Sequence, residues 1–175
     1  MNILEEFDTI AAPATPMGAG GVGVIRISGE KAFDIIRKIF SNANFEPRRF
    51  QYGWISDGDI RIDSGIVLSF FAPNSYTGEN VVEIQCHGGV QVVRNILNLV
   101  LKNGARLAEK GEFTKRAFLN KRMDLSQAES VADIIHSKTS DFAKISMKNL
   151  SGVLKEKVND IRNDIFEVLS KITAG

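Results

Sequence analysis

The sequence has 175 residues, of which 43 % are hydrophobic and 25 % are charged, and its 22 lysines and arginines nearly balance 21 aspartates and glutamates. These values are typical of a soluble globular protein of one domain with or without an appendage, and they argue against a sequence-wide attraction to nucleic acid or membranes. The single cysteine, Cys86, excludes an internal disulfide, and with only two histidines the chain predicts no metal site.

The distribution of apolar residues gives an expectation for the compartment. No apolar run approaches membrane-spanning length, and residues 1–6 have neither the basic start nor the apolar core of a signal peptide. We therefore expect a cytoplasmic protein without a membrane partner.

Residues 18–29, with the sequence GAGGVGVIRISG, are rich in glycine and β-branched residues. Glycine tolerates φ > 0 and lets a flat ligand approach the backbone, so this stretch predicts a loop that opens into a strand over 24–27. Gly18-x-Gly20-x-x-Gly23 fits the dinucleotide-binding fingerprint, which requires a helix after the glycines, whereas a strand is expected here. The phosphate-loop pattern GxxxxGK[ST] is absent from the sequence, which predicts no nucleotide hydrolysis by these residues alone.

The first 104 residues predict an alternation of strands and helices. Strands are expected over 8–12, 24–27, 50–55, 65–71 and 81–87, and helices over about 32–40 and 92–101. Ser28 is the expected N-cap of the first helix, and Asn103-Gly104 the expected end of the second. Residues 41–49 are expected to form a loop that includes Pro47, and Asp57-Gly58 a turn. Hairpin-like connections favour an α+β fold with a mixed sheet over a doubly wound parallel sheet.

From Glu112 the sequence predicts helices. A short helix is expected around 113–118, and Ser126-Gln127-Ala128-Glu129 has the pattern of a capping box at the start of another. Apolar residues then recur at spacings of four and three, which is typical of a helix that packs against a partner helix: Leu154, Val158, Ile161, Ile165, Val168 and Ile172. Because this seam is still open at Ala174-Gly175, we expect a fragment of a longer protein, an oligomer, or both.

Three segments are candidates for a functional site, each with an ordinary structural alternative. Arg26 lies within a strand beside the glycine stretch and suits an anion or a ring edge, or is a surface arginine. Tyr76 and Glu79 suit a flat heterocycle, because a carboxylate accepts hydrogen bonds from an amino–imino edge and an aromatic ring covers it; the alternative is a plain turn. The basic run of residues 110–122 suits an acidic ligand tail or RNA phosphates, or is a solvated helix face.

Two further residues have more ordinary interpretations. His87 ends a predicted strand and is favoured as a structural hydrogen-bonding group over a catalyst by about two to one. Cys86 falls on the apolar face of the same strand and is expected to be packed rather than nucleophilic. The sequence therefore predicts no catalytic residue.

Several motifs together resemble one family, the tRNA modification GTPases called MnmE or TrmE. They are DTIAA (8–12), GGVGVIRISG (20–29), SYTGE (75–79), VEIQCHGG (82–89), GEFTKRAFLN (111–120) and MDLSQAE (123–129). The resemblance implies an N-terminal folate-binding and dimerisation domain over 1–119, similar to the tetrahydrofolate-binding domain of the glycine-cleavage T-protein. The start of a helical domain is implied over 120–175, and the family's GTPase domain, with its sites for GTP, Mg²⁺ and K⁺, is absent from this sequence.

The resemblance also implies a ligand, a reaction and partners. The ligand is 5-formyltetrahydrofolate or a related one-carbon folate, bound near the homodimer interface. The reaction modifies C5 of the wobble uridine, U34, in certain tRNAs, together with the FAD-containing protein MnmG (GidA). A structural assembly module with no ligand site of its own is the alternative.

Matched by position, the family's folate contacts fall on Arg26, Glu79 and Arg122. The family more often has lysine where this sequence has Arg122, and it commonly has a basic residue where this sequence has Ala19. Arginine keeps the charge but changes the geometry of the contact, while Ala19 removes a cation.

Overall fold

The computed structural model describes residues 8–46 and 49–173, and the chain divides into two compact units, one ending at Arg116 and the other beginning at Ala117. The described residues form an α+β protein, as the sequence predicts. Its elements are β1 (Ile10–Pro13), β2 (Val22–Ser28), α1 (Ala32–Ile39), β3 (Phe50–Asp57), β4 (Ile60–Phe70), β5 (Val81–His87), α2 (Val90–Lys102), β6 (Arg106–Leu107), α3 (Glu112–Leu119), α4 (Leu125–His136), α5 (Ser140–Leu150) and α6 (Val153–Thr173). The boundary between the units falls within α3.

The first unit is built on one mixed sheet whose strand order is β3-β4-β5-β2-β1-β6. Neighbouring strands are antiparallel except β1 and β6, which are parallel. Strand β2 lies inside the sheet, and its Arg26 is paired with Glu83 on β5 and with Ala12 on β1. The glycine stretch therefore leads into the middle of the sheet rather than to its edge.

One face of the sheet carries the hydrophobic core. Because successive side chains of a strand point to opposite faces, Ile25 and Ile27 of β2 share this face with their partners Ile84 and Val82 on β5. Helices α1 and α2 contribute their apolar faces to the same buried cluster, through Ile35, Ile36, Ile39, Val93, Ile96 and Val100. The apolar side chains that recur every 3.6 residues on the two helices and every two residues on the strands thus pack into one core.

The opposite face of the sheet stays partly open. Register places Phe50, Leu68, Glu83 and Arg26 in one row across four strands. On the edge strand β3 this face presents three aromatic side chains whose exposed fractions are high: Phe50 71 %, Tyr52 64 % and Trp54 41 %. The polar residues of β2 and β5 therefore share this face with an exposed aromatic strip, from which β4 separates them.

The predicted strands and helices of the first unit are confirmed, with shifted ends and two differences. Ser28 is the last residue of β2 rather than a helix N-cap; Lys31 holds the N-cap position of α1, and the Lys31 N–H donates to Thr9 Oγ1 at 2.9 Å. Strand β6 was not expected, because two residues give no pattern; it exists through its pairing with β1. Asp57-Gly58 and Asn103-Gly104 end their elements as predicted.

Of the five glycines in residues 18–29, for which the sequence suggests a capacity for φ > 0, one uses it. None of Gly18, Gly20, Gly21 and Gly23 has φ in the left-handed region, whereas Gly29 does, at 133°. A steric need for glycine falls instead on Gly88, where a Cβ would lie 2.5 Å from the carbonyl oxygen of Gly20. Gly88 thus permits a close approach between two backbone segments.

The second unit is helical. The capping box of α4 is formed by Asp124 and Gln127, two residues before the predicted one at 126–129, because Asp124 Oδ1 accepts from the Gln127 N–H at 2.9 Å while Gln127 Oε1 accepts from the Asp124 N–H at 2.9 Å. Thr139 caps α5 through its hydroxyl. Helix α6 has 21 residues, none of them buried, so the predicted seam is exposed. Pro47 and Ala174-Gly175, for which a loop and an open chain end were expected, lie outside the described residues.

The close approach at Gly88 generates a prediction for stability. Replacing Gly88 with alanine forces the backbone at Gly20 and Val22 to move, and we expect the free energy of unfolding to fall by about 1–3 kcal/mol. Gly21→Ala is the matched control, because a Cβ there meets nothing within 4 Å and should change stability by no more than about 0.5 kcal/mol. Urea denaturation measures both; equal stability of the two variants would contradict the steric role of Gly88.

Candidate functional site

Arg26 is fixed on the open face of the sheet by its cross-strand partner. Both Nε and Nη2 of the guanidinium contact Glu83 Oε1, at 2.8 and 2.7 Å. Nη1 donates no hydrogen bond to any of the described residues. The ion pair therefore orients the guanidinium and leaves one edge of it available.

Two aromatic rings cover this guanidinium. Its central carbon lies 5.1 Å from the ring centroid of Tyr76 and 5.7 Å from that of Phe113. The Tyr76 hydroxyl is held by Thr114 Oγ1 at 2.9 Å. Tyr76, which the sequence suggests as a cover for a heterocycle, thus covers the Arg26 guanidinium.

Glu79 is the last residue of the tight turn of residues 75–79, which the sequence predicts. Its carboxylate is hydrogen-bonded to two other side chains of the chain. Ser28 Oγ donates to Glu79 Oε2 at 2.6 Å, and Arg116 Nη1 lies 3.2 Å from both carboxylate oxygens. The turn itself is held by Ser75 Oγ, which donates to the Glu79 carbonyl at 2.6 Å. Glu79 is therefore part of a structured ionic cluster rather than a free carboxylate.

Arg116 is the residue of the basic run for which both sequence interpretations are wrong. It is only 5 % exposed, so it lies neither on a solvated helix face nor open to an acidic tail. Its guanidinium donates to the Asp8 carbonyl at 2.6 Å and to Glu112 Oε1 at 3.1 Å, besides Glu79. The spacing of Glu112 and Arg116 by four residues indicates this pair in the sequence; the contact with Glu79 has no local signal.

Glu112 joins this cluster to strand β6. Arg106 on β6 contacts both oxygens of Glu112, at 2.8 and 3.0 Å, and reaches Asp8 Oδ2 at 3.3 Å. Burial alone would raise the pKa of Glu112, but hydrogen bonds from Arg106, the Glu109 N–H and Arg116 outweigh it and lower the pKa to about 2. Glu112 is thus a buried, ionised carboxylate that ties α3 to β6.

Arg26 and Glu79 lie on the same face of the sheet. Ser28, whose hydroxyl donates to Glu79, is two residues from Arg26 on β2, so the side chains of Ser28 and Arg26 share a face and their Cα atoms are roughly 7 Å apart. Two of the three predicted site residues, with opposite charges, therefore meet the same face of the sheet.

The third predicted site residue, Arg122, belongs to the second unit. Its N–H donates to the Ala117 carbonyl at 2.8 Å, across Lys121, whose φ is 59°. This bond spans five residues, as in the turn that commonly ends a helix, and closes α3. The Arg122 side chain is exposed.

A cavity of about 320 Å³ lies at the glycine stretch of the first unit. It is lined by Thr15, Pro16, Met17, Gly18, Ala19, Gly20, Val22, Gly23, Gly88, Val90 and Val93. Ala19 is among the lining residues, but neither Arg26 nor Glu79 is. This cavity is therefore distinct from the charged residues that the sequence suggests as a site, whose role stays a prediction.

His87 and Cys86 are held by structure in the way that the sequence favours. His87 Nδ1 contacts Asp63 Oδ1 at 2.7 Å, and its backbone N–H donates to Asp63 Oδ2 at 2.8 Å. Burial would raise the pKa of Asp63, but these hydrogen bonds lower it. Burial, and to a lesser extent the Asp63 charge, raises the pKa of the Cys86 thiol to about 11, so this side chain is packed as a thiol.

Residues 8–46 and 49–173 contain neither a candidate metal site nor a candidate membrane span. No three His, Cys, Asp or Glu side chains there are grouped so that they could hold a metal ion. None of the helices within those ranges combines the length and apolarity needed to cross a membrane.

The fold and the site define a class of protein: an α+β sheet domain with an oppositely charged pair on its open face, followed by a helical segment. Comparison with known families agrees. The family model described as the GTP-binding protein TrmE N-terminus matches residues 9–122, and that of the MnmE helical domain matches residues 125–175. The chain belongs to the MnmE (TrmE) family.

Curated relatives named tRNA modification GTPase MnmE match most of the chain. A tRNA modification GTPase MnmE from Caldicellulosiruptor saccharolyticus is 51 % identical over 176 residues, covering 97 % of this chain and 39 % of the relative. Those from Thermotoga petrophila and Lactococcus lactis subsp. cremoris are each 46 % identical, covering 94 % and 98 % of this chain and 37 % and 38 % of the relatives. The chain thus spans well under half the length of these relatives.

The ion pairs of Glu112 generate a prediction for acid stability. The pKa of Glu112 is about 2 in the folded chain and near 4.5 in the unfolded chain. The contribution of the ionised carboxylate to the free energy of unfolding is therefore complete above about pH 5 and is lost as the pH falls toward 2. We expect Glu112→Gln to lower the free energy of unfolding by about 2–3 kcal/mol at pH 7, and the difference from wild type to shrink toward pH 2.

Urea denaturation between pH 2 and pH 7 measures this difference. Glu167→Gln is the control, because Glu167 forms an exposed pair with Lys171 and should change stability by less than about 0.5 kcal/mol. A Glu112→Gln deficit that stays constant down to pH 2 would contradict the assignment.

Proposed function

We propose that this chain binds 5-formyltetrahydrofolate or a related one-carbon folate on the open face of its sheet. The observation that carries the proposal is the placement of Arg26 and Glu79, two charges of opposite sign, on that face close to Tyr76. Family membership supports the resemblance from which this ligand was inferred, and that resemblance implies folate contacts at these two positions.

The chemistry of the two residues suits the ligand. The carboxylate of Glu79 accepts from the amino–imino edge of a pterin, and the free Nη1 edge of Arg26 donates to a carbonyl or carboxylate oxygen. Arg122, at the start of the second unit, is proposed to contact the acidic tail, with arginine in place of the more usual lysine. We retain 1–119 as the folate-binding domain and 120–175 as the start of the helical domain.

For the whole protein we propose a role in tRNA modification. Relatives are named tRNA modification GTPases, and the helical segment here matches their helical domain. GTP, with its Mg²⁺ and K⁺, is assigned to a GTPase domain outside these residues, since they contain no phosphate-loop motif. The proposed reaction modifies C5 of wobble uridine U34, with an FAD-containing MnmG (GidA) partner, in the cytoplasm.

We further propose that the first unit forms a homodimer through the aromatic strip of β3. Phe50, Tyr52 and Trp54 are exposed side by side on alternate positions of an edge strand, which is a costly surface to leave in water. The near-neutral charge of the chain lets two copies approach without strong repulsion. An assembly module without a ligand site is the second candidate, and the same strip favours it.

The folate proposal is tested by calorimetric titration of the chain with 5-formyltetrahydrofolate. We expect binding, and we expect Glu79→Gln to weaken it by about 1–3 kcal/mol, because one ligand donor then lacks its charged acceptor. Asp34→Asn is the control, since Asp34 forms an exposed pair with Arg37 on α1 and should bind as wild type. No heat and no thermal shift at millimolar ligand would leave the assembly module as the better function.

The dimer proposal is tested by sedimentation equilibrium. Tyr52→Lys places a charge in the aromatic strip, and we expect it to shift the chain from dimer to monomer because burying an unpaired ammonium is costly. Leu107→Lys is the matched control, because Leu107 is 54 % exposed on β6 at the opposite edge of the sheet. A Tyr52→Lys variant that remains dimeric, or a wild type that is monomeric, would contradict this interface.

A further inference from the structure

We propose that Arg116 is a positioning residue for the ligand site: together with Ser28, it holds the Glu79 carboxylate so that Oε1 is the atom that accepts from the ligand. The proposal rests on the proposed function, because it concerns how Glu79 meets the heterocycle. It goes further by giving a role to two side chains that do not themselves need to touch the ligand.

The hydrogen bonds to Glu79 determine which oxygen is available. Arg116 Nη1 has two protons, of which one is donated to the Asp8 carbonyl and the other is shared by Glu79 Oε1 and Oε2, at 3.2 Å from each. Oε2 also accepts from Ser28 Oγ at 2.6 Å, whereas Oε1 has no further donor among the described residues. A carboxylate oxygen accepts about two hydrogen bonds through its lone pairs, so Oε1 is the oxygen with more acceptor capacity left for a ligand.

Arg116 is rigid enough to impose this arrangement. Its guanidinium also donates to the Asp8 carbonyl at 2.6 Å and to Glu112 Oε1 at 3.1 Å, and the side chain is 5 % exposed. Moving it away from Glu79 would break these bonds or leave a buried charge unpaired, which is costly. Glu79 is thus held by a side chain that is itself fixed at two other points.

Arg106 offers a control that distinguishes the positioning of Glu79 from a merely structural role. It pairs with Glu112 and Asp8 in the same cluster and makes no contact with Glu79 among the described residues. Replacing either arginine with lysine weakens the cluster, but only the change at Arg116 acts on the Glu79 carboxylate. The two arginines therefore form a matched pair of sites.

The test compares Arg116→Lys, Ser28→Ala and Arg106→Lys in the 175-residue chain by calorimetry and thermal denaturation. The ligands are 5-formyltetrahydrofolate and p-aminobenzoyl-L-glutamate, which has the tail but lacks the pterin. We expect Arg116→Lys and Ser28→Ala each to weaken binding of 5-formyltetrahydrofolate by about tenfold, since a hydrogen bond to a misplaced charged group is lost, while binding of p-aminobenzoyl-L-glutamate is unchanged. Arg106→Lys should lower the melting temperature and bind both ligands as wild type.

Three outcomes would overturn the inference while leaving the proposed function standing. They are wild-type affinity for 5-formyltetrahydrofolate in both Arg116→Lys and Ser28→Ala, tighter binding in Arg116→Lys, and an equal loss in Arg106→Lys. Ser28→Ala keeps the test decisive if Arg116→Lys does not fold. A wild-type chain that binds no folate would instead overturn the proposed function itself, and the inference with it.

Discussion

The charge of Arg116 is the constraint on which the site in the first unit depends. A guanidinium that is 5 % exposed is stable only when acceptors surround it, and Glu79, Glu112 and the Asp8 carbonyl supply them. These acceptors come from three separate parts of the chain. Neutralising one buried charge therefore fixes the turn that carries Glu79 against the start of α3 and against Asp8, two residues before β1, and it sets the orientation of the proposed ligand-binding carboxylate.

Strand β2 contributes residues to the hydrophobic core on one face of the sheet and polar side chains to the other face. Gly23, Ile25 and Ile27 point to the core under α1 and α2, while Arg26 and Ser28 point to the open face. A one-residue slip of register would bury the arginine and expose the isoleucines, so the hydrophobic core holds the polar residues in place. Packing of the apolar face thus fixes the positions of the polar side chains on the opposite face.

The candidate site was partly predictable. Arg26 and Glu79 could be chosen because their residue types and motifs are local, and the structure places them on one face. Arg116 was misinterpreted because a basic run looks the same in sequence whether its members are solvated or buried. The sequence also does not show that the cavity at the glycine stretch is lined by Val90 and Val93, because these residues are more than 60 positions away in the chain.

By itself, the sequence determined the α+β class, most strands and helices, and the family, because periodicity, turn residues and motifs are local properties of a chain. Only the tertiary structure decided the sheet order, the short strand β6 and the burial of Arg116 among acceptors distant in sequence. The physical reason is that burial and ion pairing arise from contacts between segments far apart in the chain. No run of neighbouring residues specifies which carboxylate a buried arginine will meet.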